Sequence, residues 1–154
     1  MVDVGEMAPD AAFDVPDGKR AKISDWCGKK LVVYFYPKDD TPGCTKEAQG
    51  FTALAADFAK AGAAVLGISK DSVKSHAKFA SKYDLAVTLG SDGDGSVCEA
   101  FGVWVEKSMY GRHYMGIERA TFLIGADGKI AQVWRKVKVP GHAESVLESA
   151  RAID

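Results

Sequence analysis

The sequence predicts a single α/β domain in which helices cover both faces of a mixed central sheet. Three observations carry this prediction. Buried-strand patterns alternate with helical patterns through the middle of the chain, which is typical of strands joined by crossover helices. Hairpin patterns lie near both ends, so part of the sheet is antiparallel. The length of 154 residues suits one domain, and no linker, repeat or low-complexity tract divides residues 1–154.

The first half of the chain contains two predicted buried strands, each followed by a predicted helix. Residues 31–36 and 63–69 are continuous apolar runs, which is typical of strands buried on both faces. Phe51, Leu54 and Phe58 repeat at helical spacing and form one apolar stripe. The predicted elements are an N-terminal hairpin with strands at 13–15 and 20–22, a strand at 31–36, a helix at 42–60, a strand at 63–69 and a helix at 72–83.

The second half closes the sheet with shorter elements. Asp127-Gly128, between two apolar runs, is a strong signal for a tight hairpin. The predicted elements are a strand at 86–89, a short helix at 95–101, hairpin strands at 121–124 and 130–134, and a closing helix at 144–153. This order fits a thioredoxin-like domain with insertions.

The charge balance argues against recruitment to nucleic acid or to a membrane surface. Twenty Lys and Arg residues face 21 Asp and Glu residues, for a formal net charge of −1. The longest strongly apolar run, residues 31–36, is far shorter than the ~20 residues of a membrane helix. The N-terminus carries Asp3 and Glu6 where a signal peptide needs basic residues, so we expect no targeting segment and a cytoplasmic protein.

Neither a metal nor another cofactor is predicted. The three histidines, His76, His113 and His142, show no ligand spacing with one another or with a cysteine. Glycine-rich phosphate-binding motifs are absent from the sequence, which argues against a nucleotide cofactor.

The segment Pro37–Glu47 carries the most informative pattern. It follows the carboxyl end of a predicted buried strand, which is the edge where α/β sheets usually bind ligands. Thr41 and Pro42 are typical of an N-cap and a first helical position, so Cys44 falls in the first helical turn. Backbone N–H groups and the helix dipole stabilise a thiolate there. The position also suits a small buried structural cysteine, and its place in the chain does not decide between the two.

The sequence around Cys44 resembles the active site of the peroxiredoxins. Pro37-x-x-x-Thr41-x-x-Cys44 matches their PxxxTxxC motif, and Val33 to Thr45 is similar to the bacterioferritin comigratory protein branch, also called peroxiredoxin Q. Further matches follow in chain order: Phe101-Gly102-Val103-Trp104, Gly116-Ile117-Glu118-Arg119, Phe122-Leu123-Ile124 and Asp127-Gly128-Lys129. The resemblance covers nearly the whole chain. It implies a thiol-dependent peroxidase that reduces hydrogen peroxide and organic (alkyl) hydroperoxides.

The resemblance implies a catalytic role for four residues. Cys44 is expected to attack the terminal peroxide oxygen as a thiolate, while Thr41 places its hydroxyl against the thiolate and the peroxide. Arg119 is expected to hold the thiolate and to polarise the O–O bond. Pro37 is expected to shield Cys44 from water.

Two further positions are implied to bind the substrate or the arginine. The backbone N–H groups of Gly43 and Cys44 are expected to bind the peroxide. Glu47, one helical turn beyond Cys44, matches an acidic position that orients an arginine. Arg119 precedes an apolar strand with no acid at 120–126, so its guanidinium pairs with a distant acid or lies in solvent.

The resolving step is where this sequence departs from the family. Many members of the branch carry a second cysteine five residues after the first, where this chain has Gln49. Cys27 precedes a strand that spans roughly 20 Å, whereas a disulfide needs Cα atoms within about 7 Å. Cys98 is interpreted as a buried structural cysteine, with a resolving role as the alternative. We predict a one-cysteine cycle completed by an external thiol, either thioredoxin, glutaredoxin or a small thiol.

Two other functions would use the same thiol. A thioredoxin-like disulfide oxidoreductase needs a C-x-x-C pair, but Glu47 stands three residues after Cys44. A non-enzymatic redox sensor would use Cys44 without turnover. The oligomeric state is predicted to be a monomer or a weak homodimer, whose contact would be an exposed apolar patch in the segment from Trp104 to Tyr114.

Overall fold

The predicted alternation of strands and helices is present in the computed structural model, which describes residues 2–154. The elements are β1 (Ala12–Asp14), β2 (Arg20–Lys22), a 3-10 helix (Ile23–Trp26), β3 (Lys30–Phe35), α1 (Pro42–Ala53), α2 (Ala55–Lys60), β4 (Ala63–Ser69), α3 (Val73–Tyr83), β5 (Thr88–Ser91), α4 (Ser96–Ala100), β6 (Trp104–Met109), β7 (Arg112–Ile117), β8 (Ala120–Ile124), β9 (Ile130–Trp134) and α5 (His142–Ala152). Within the described part of the chain, no helix combines the length and the apolar character needed to cross a bilayer.

The central sheet is mixed and has seven strands, in the order β2-β1-β5-β4-β3-β8-β9. Strands β3, β4 and β5 run parallel, and helices make the crossovers between them. Strand β8 pairs antiparallel with β3, and β9 with β8. The predicted N-terminal hairpin pairs Phe13 with Ala21 and joins the sheet through β5. The sequence prediction of a mixed sheet is therefore confirmed.

The two faces of the sheet support two separate apolar cores. Successive residues of β3 point to opposite faces, so Val33 belongs to one core and Val32 to the other. Helices α1, α2, α3 and α5 contribute to the core that contains Cys44. The short helix α4 covers the opposite face and contributes Cys98 to the other core. Helices thus lie on both faces, and the sheet separates the two buried cysteines.

The largest differences from the sequence prediction are a broken helix, two shifted elements and an additional hairpin. The helix expected at 42–60 is broken at Leu54, whose φ of −102° and ψ of 9° end α1 and precede α2. Strand β5 lies two residues later than expected because its pairing with β4 starts at Thr88. Helix α5 begins two residues earlier, after Gly141 at a φ of 74°. Strands β6 and β7 were not predicted, and they form a separate two-stranded sheet.

The pairing of β8 with β3 explains how a distant arginine reaches the end of β3. Phe35, the last residue of β3, pairs with Ala120, the first residue of β8. Arg119 therefore stands at the edge of the sheet where the chain leaves β3 for α1. Residues alternate in direction along a strand, so Arg119 shares the face of Thr121 and Leu123, on the side of α1.

Candidate active site

Cys44 is the third residue of α1, as the sequence predicts, and only 2% of it is exposed. Pro42 occupies the first helical position, where its fixed φ suits the helix and its missing N–H costs nothing. The first turn closes with a hydrogen bond from the Thr45 N–H to the Thr41 carbonyl at 2.9 Å. The N–H groups of Gly43 and Cys44 precede that bond, so they have no acceptor within the helix. The thiol therefore lies at the positive end of the helix dipole.

Arg119 bridges Cys44 and Glu47, three residues that the sequence places in two distant segments. Its Nη2 lies 3.3 Å from Cys44 Sγ, and its Nη1 donates to Glu47 Oε1 at 2.6 Å. The Glu47 side chain is 1% exposed and the Arg119 side chain 18% exposed. Glu47 is thus the partner that Arg119 lacks in its own segment. The planar guanidinium contacts the sulfur with one nitrogen and the carboxylate with another.

Burial sets the ionisation of this pair. Burial raises the pKa of Glu47 to about 7, although the charge and hydrogen bond of Arg119 oppose that rise. The second oxygen, Oε2, is buried and makes no hydrogen bond within residues 2–154, which explains why the charged form is disfavoured. Burial opposes the charge of Arg119, but Glu47 and Cys44 raise its pKa above the ordinary value. Arg119 is therefore a permanent positive charge beside the thiol.

The other predicted site residues surround this bridge. Thr41 is the N-cap residue, but its hydroxyl donates to the Lys38 carbonyl at 2.8 Å and caps no N–H of the helix. The hydroxyl oxygen keeps its lone pairs for a further donor. Gly43 lies so close to Arg119 that an added Cβ would stand 3.2 Å from Nη2. Pro37 is exposed.

The sequence analysis did not predict that Lys107 and His142 lie near the site. Lys107 of β6 interacts electrostatically with Arg119 and Cys44. Burial and the charge of Arg119 lower the pKa of Lys107. His142 begins α5, bonds Thr121 Oγ1 at 2.7 Å, and lines a cavity of about 440 Å³ with Glu47. Burial, helped by the charge of Arg119, lowers the pKa of His142 to about 4. The lysine lies on the unpredicted hairpin, and the histidine has no motif around it.

The other two cysteines lie away from this site. Cys98 is fully buried in the core on the opposite face of the sheet. Burial, helped by Asp92, raises the pKa of the Cys98 thiol well above its ordinary value. Cys27 is exposed and lies near Ala126, in the turn after β8. Arg119 directly precedes β8 and this turn follows it, so the two lie at opposite ends of the strand.

A buried thiol in contact with an arginine, in the first turn of a helix on this mixed sheet, is the arrangement expected of a thiol-dependent peroxidase with a thioredoxin-like fold. The AhpC/TSA family matches residues 4–133, and the chain belongs to that family. Within it, the chain is 53% identical to "Putative peroxiredoxin bcp" of Coxiella burnetii over 146 residues, which cover 95% of this chain and 97% of that one. The chain is 50% identical to "Peroxiredoxin Bcp" of Xanthomonas campestris over 156 residues, which cover 99% and 98% of the two chains.

A solved structure shows the same fold. The bacterioferritin comigratory protein of Xanthomonas campestris, described for its alkyl peroxide reduction activity, superposes with a TM-score of 0.91 at 47% identity. The match covers 97% of this chain and 98% of that chain. The resemblance drawn from the PxxxTxxC motif is therefore confirmed at the level of the family, the fold and the thiol-dependent peroxidase class.

Proposed function

We propose that Cys44 is the peroxidatic nucleophile and that an external thiol returns it to the reduced state. The 3.3 Å contact between Arg119 Nη2 and Cys44 Sγ carries this proposal. The thiolate sulfur attacks the terminal peroxide oxygen, and the O–O bond breaks. Sulfur is oxidised to the sulfenic acid, and the leaving oxygen takes up a proton as water or an alcohol. The substrates are hydrogen peroxide and organic hydroperoxides, the latter also reduced by the Xanthomonas relative according to its description.

The groups around Cys44 divide the work of this step. Arg119 holds the thiolate and offers positive charge to the peroxide as negative charge moves onto the leaving oxygen. The N–H groups of Gly43 and Cys44 face the same region and bind a peroxide oxygen. The Thr41 hydroxyl, already donating to Lys38, accepts a hydrogen bond from the peroxide. Pro37 limits access of water, and Glu47 fixes the orientation of Arg119.

The position of the other thiols supports an external reductant. Because the sheet separates Cys44 from Cys98, their Cα atoms cannot approach to the roughly 7 Å that a disulfide requires unless the core opens. Gln49, exposed on α1, stands where many relatives carry a resolving cysteine. The external thiol condenses with the sulfenic acid, releases water and forms a mixed disulfide. A second thiol then releases Cys44. The reductant is a thioredoxin, a glutaredoxin or a small thiol.

The oligomeric state that we propose is a monomer or a weak homodimer. The β6–β7 hairpin exposes Met109, Tyr110 and Tyr114, which are 55%, 98% and 45% exposed, and these side chains would supply the contact of such a dimer. A cycle that depends on free thiols suits a reducing compartment, which is why we propose a cytoplasmic location.

Removing Cys98 or Cys27 is expected to leave turnover close to that of the wild type. In the one-cysteine cycle, neither sulfur reacts. Peroxide consumption with dithiothreitol as the thiol donor, measured on Cys98→Ser and Cys27→Ser, checks this. Circular dichroism confirms that the buried Cys98 variant is folded. Loss of turnover in a folded Cys98→Ser variant, with the sulfenic acid accumulating, would show that Cys98 resolves Cys44.

Replacing Glu47 with glutamine is expected to change how stability depends on pH. The pKa of Glu47 is about 7 in the folded protein against an ordinary value of 4.5, so the folded state binds more protons between these two values. Stability from this group is therefore full below about pH 4.5 and is lost as the pH rises to about 7. The loss corresponds to about 3 kcal/mol. Glutamine does not titrate and should not show it.

The measurement is urea unfolding of the wild type and Glu47→Gln across this pH range. The difference in the free energy of unfolding should shift in favour of the variant as the pH rises. Glu99→Gln, an exposed change on α4, is the control and should follow the wild type. A difference between Glu47→Gln and the wild type that does not vary with pH would mean that Glu47 is ionised throughout.

A further inference from the structure

The turn between β3 and α1 is held from outside by α3. Asp39, in the middle of this turn, is 8% exposed and its carboxylate accepts three hydrogen bonds. Tyr36 Oη donates to Oδ1 at 2.6 Å, while Ser75 Oγ at 2.8 Å and His76 Nδ1 at 2.7 Å meet Oδ2. The Asp39 backbone N–H also donates to Asp71 Oδ2 at 2.8 Å. Both the side chain and the backbone of Asp39 are therefore fixed.

His76 is fully buried and both of its ring nitrogens face acceptors. Nε2 lies 3.0 Å from the Gly90 carbonyl, which can only accept, so Nε2 carries a proton. Nδ1 lies 2.7 Å from Asp39 Oδ2, and a second proton must lie between these two atoms. Burial alone would raise the pKa of Asp39, but the hydrogen bonds from His76, Tyr36 and Ser75 hold it below its ordinary value. A buried hydrogen bond therefore joins the His76 ring to the Asp39 carboxylate.

A metal ion is not needed to explain this cluster. Asp39, Asp71 and His76 each place one potential ligand atom within 4.8 Å of the others. Those atoms already have partners, however. Asp71 Oδ2 accepts from Ser69 Oγ at 2.7 Å and from the Asp39 N–H, and Asp39 Oδ2 faces Ser75 and His76. A proton shared between a histidine and a carboxylate accounts for the whole arrangement.

The residue after Asp39 is tied to the same helix. Asp40 adopts a φ of 59°, a conformation rare for residues other than glycine. Its carboxylate accepts from Lys82 Nζ at 2.7 Å and from Tyr83 Oη at 2.6 Å. Thr41 follows directly and begins α1. Helix α3 thus holds two consecutive residues and sets where the first turn of α1 lies.

We propose that His76 is a positioning residue of the peroxidase: it fixes Asp39, and through Asp39 it places Thr41 and the first turn of α1 against Arg119. It acts on the turn and contacts no reacting atom. This inference rests on the proposed role of Cys44. Loss of the hydrogen bond between His76 and Asp39 displaces the peroxide-binding groups relative to one another. Small displacements of such groups lower the rate by large factors.

Nuclear magnetic resonance of ¹⁵N-histidine in the wild-type chain tests the hydrogen bond between His76 and Asp39. The groups that face His76 are Tyr36 and Asp39 from the turn after β3, Asp71 from the loop after β4, and the Gly90 carbonyl of β5. One proton on Nε2 and a second, strongly hydrogen-bonded proton between Nδ1 and Asp39 are expected for His76. Loss of the signals in His76→Gln assigns them. Absence of the proton between Nδ1 and Asp39 would overturn the inference, whatever the variants do.

Stopped-flow oxidation of Cys44 tests the positioning. His76→Gln and Asp39→Asn are each expected to lower the second-order rate constant with hydrogen peroxide roughly tenfold. The double variant is expected to lose no more than either single one, because the two residues act through one another. The rate at which dithiothreitol reduces the sulfenic acid is expected to stay at the wild-type value, whereas general damage would lower both rates.

Phe79→Leu provides the matched control, because Phe79 is buried on α3, packs its ring against Tyr36 and Tyr83, and makes no hydrogen bond to the turn. Its peroxide rate should stay near that of the wild type. A wild-type rate in His76→Gln, a tenfold loss in Phe79→Leu, or independent losses in the double variant would overturn the inference. Failure of the wild-type protein itself to turn over peroxide would instead refute the proposed function.

Discussion

Cys44→Ser abolishes peroxide turnover, with an expected loss of about a thousandfold or more. Serine keeps the size of the side chain and its place in the first turn of α1. Its hydroxyl stays protonated at neutral pH, so it cannot replace the proposed nucleophile, whose sulfur lies 3.3 Å from Arg119 Nη2. No other cysteine can substitute, because Cys98 lies behind the sheet and Cys27 at its opposite end.

The measurement is consumption of hydrogen peroxide with dithiothreitol in excess. Cys27→Ser is the control, since it removes an exposed thiol by the same substitution. It should retain the wild-type rate. Turnover in Cys44→Ser above a few per cent of the wild-type rate would refute Cys44 as the nucleophile.

Arg119→Met lowers the rate of Cys44 oxidation by about 10²- to 10³-fold. The variant loses the positive charge and the donor that contacts Cys44 Sγ. It also leaves Glu47 buried without a partner, so stability falls at neutral pH. Arg119→Lys should recover only part of the rate, because an ammonium group does not provide the planar fork that reaches Cys44 and Glu47 together.

Arg135→Met is the matched control for this experiment. Arg135 forms a similar ion pair, with Glu118 at 2.7 Å, and its side chain is 26% exposed against 18% for Arg119. It lies outside the site, so the rate of Cys44 oxidation should change little. Equal losses in Arg119→Met and Arg135→Met would show that both ion pairs act only through folding and that Arg119 has no specific role in the oxidation of Cys44.

The sequence predicted most of the sheet because its signals are local. Strand β3 is a continuous apolar run, and Thr41-Pro42 marks the start of α1 within the same few residues. The β6–β7 hairpin was missed for an equally local reason. Its turn, Tyr110-Gly111, has both residues at positive φ, 51° and 78°, but it lacks the Asn-Gly or Asp-Gly pair that identified the later hairpin. The break at Leu54 has no glycine or proline to mark it.

How well a site residue could be predicted depended on its distance along the chain from Cys44. Cys44, Thr41 and Gly43 follow from one short motif and a helix start. Arg119 was implied by the family resemblance, and its physical route to Cys44 became visible only through the antiparallel pairing of β8 with β3. No sequence pattern indicated the contact between His76 and Asp39, because it depends on how α3 packs against the turn.

Intact-mass analysis after one equivalent of peroxide tests the central claim most directly. The account predicts one added oxygen on the wild-type chain, mapped to Cys44 by peptide analysis, and a single thiol adduct at Cys44 when a small thiol is present. The Cys27→Ser/Cys98→Ser double variant should behave in the same way. Loss of two hydrogens from the wild type, mapped to a disulfide between Cys44 and Cys98, would contradict it.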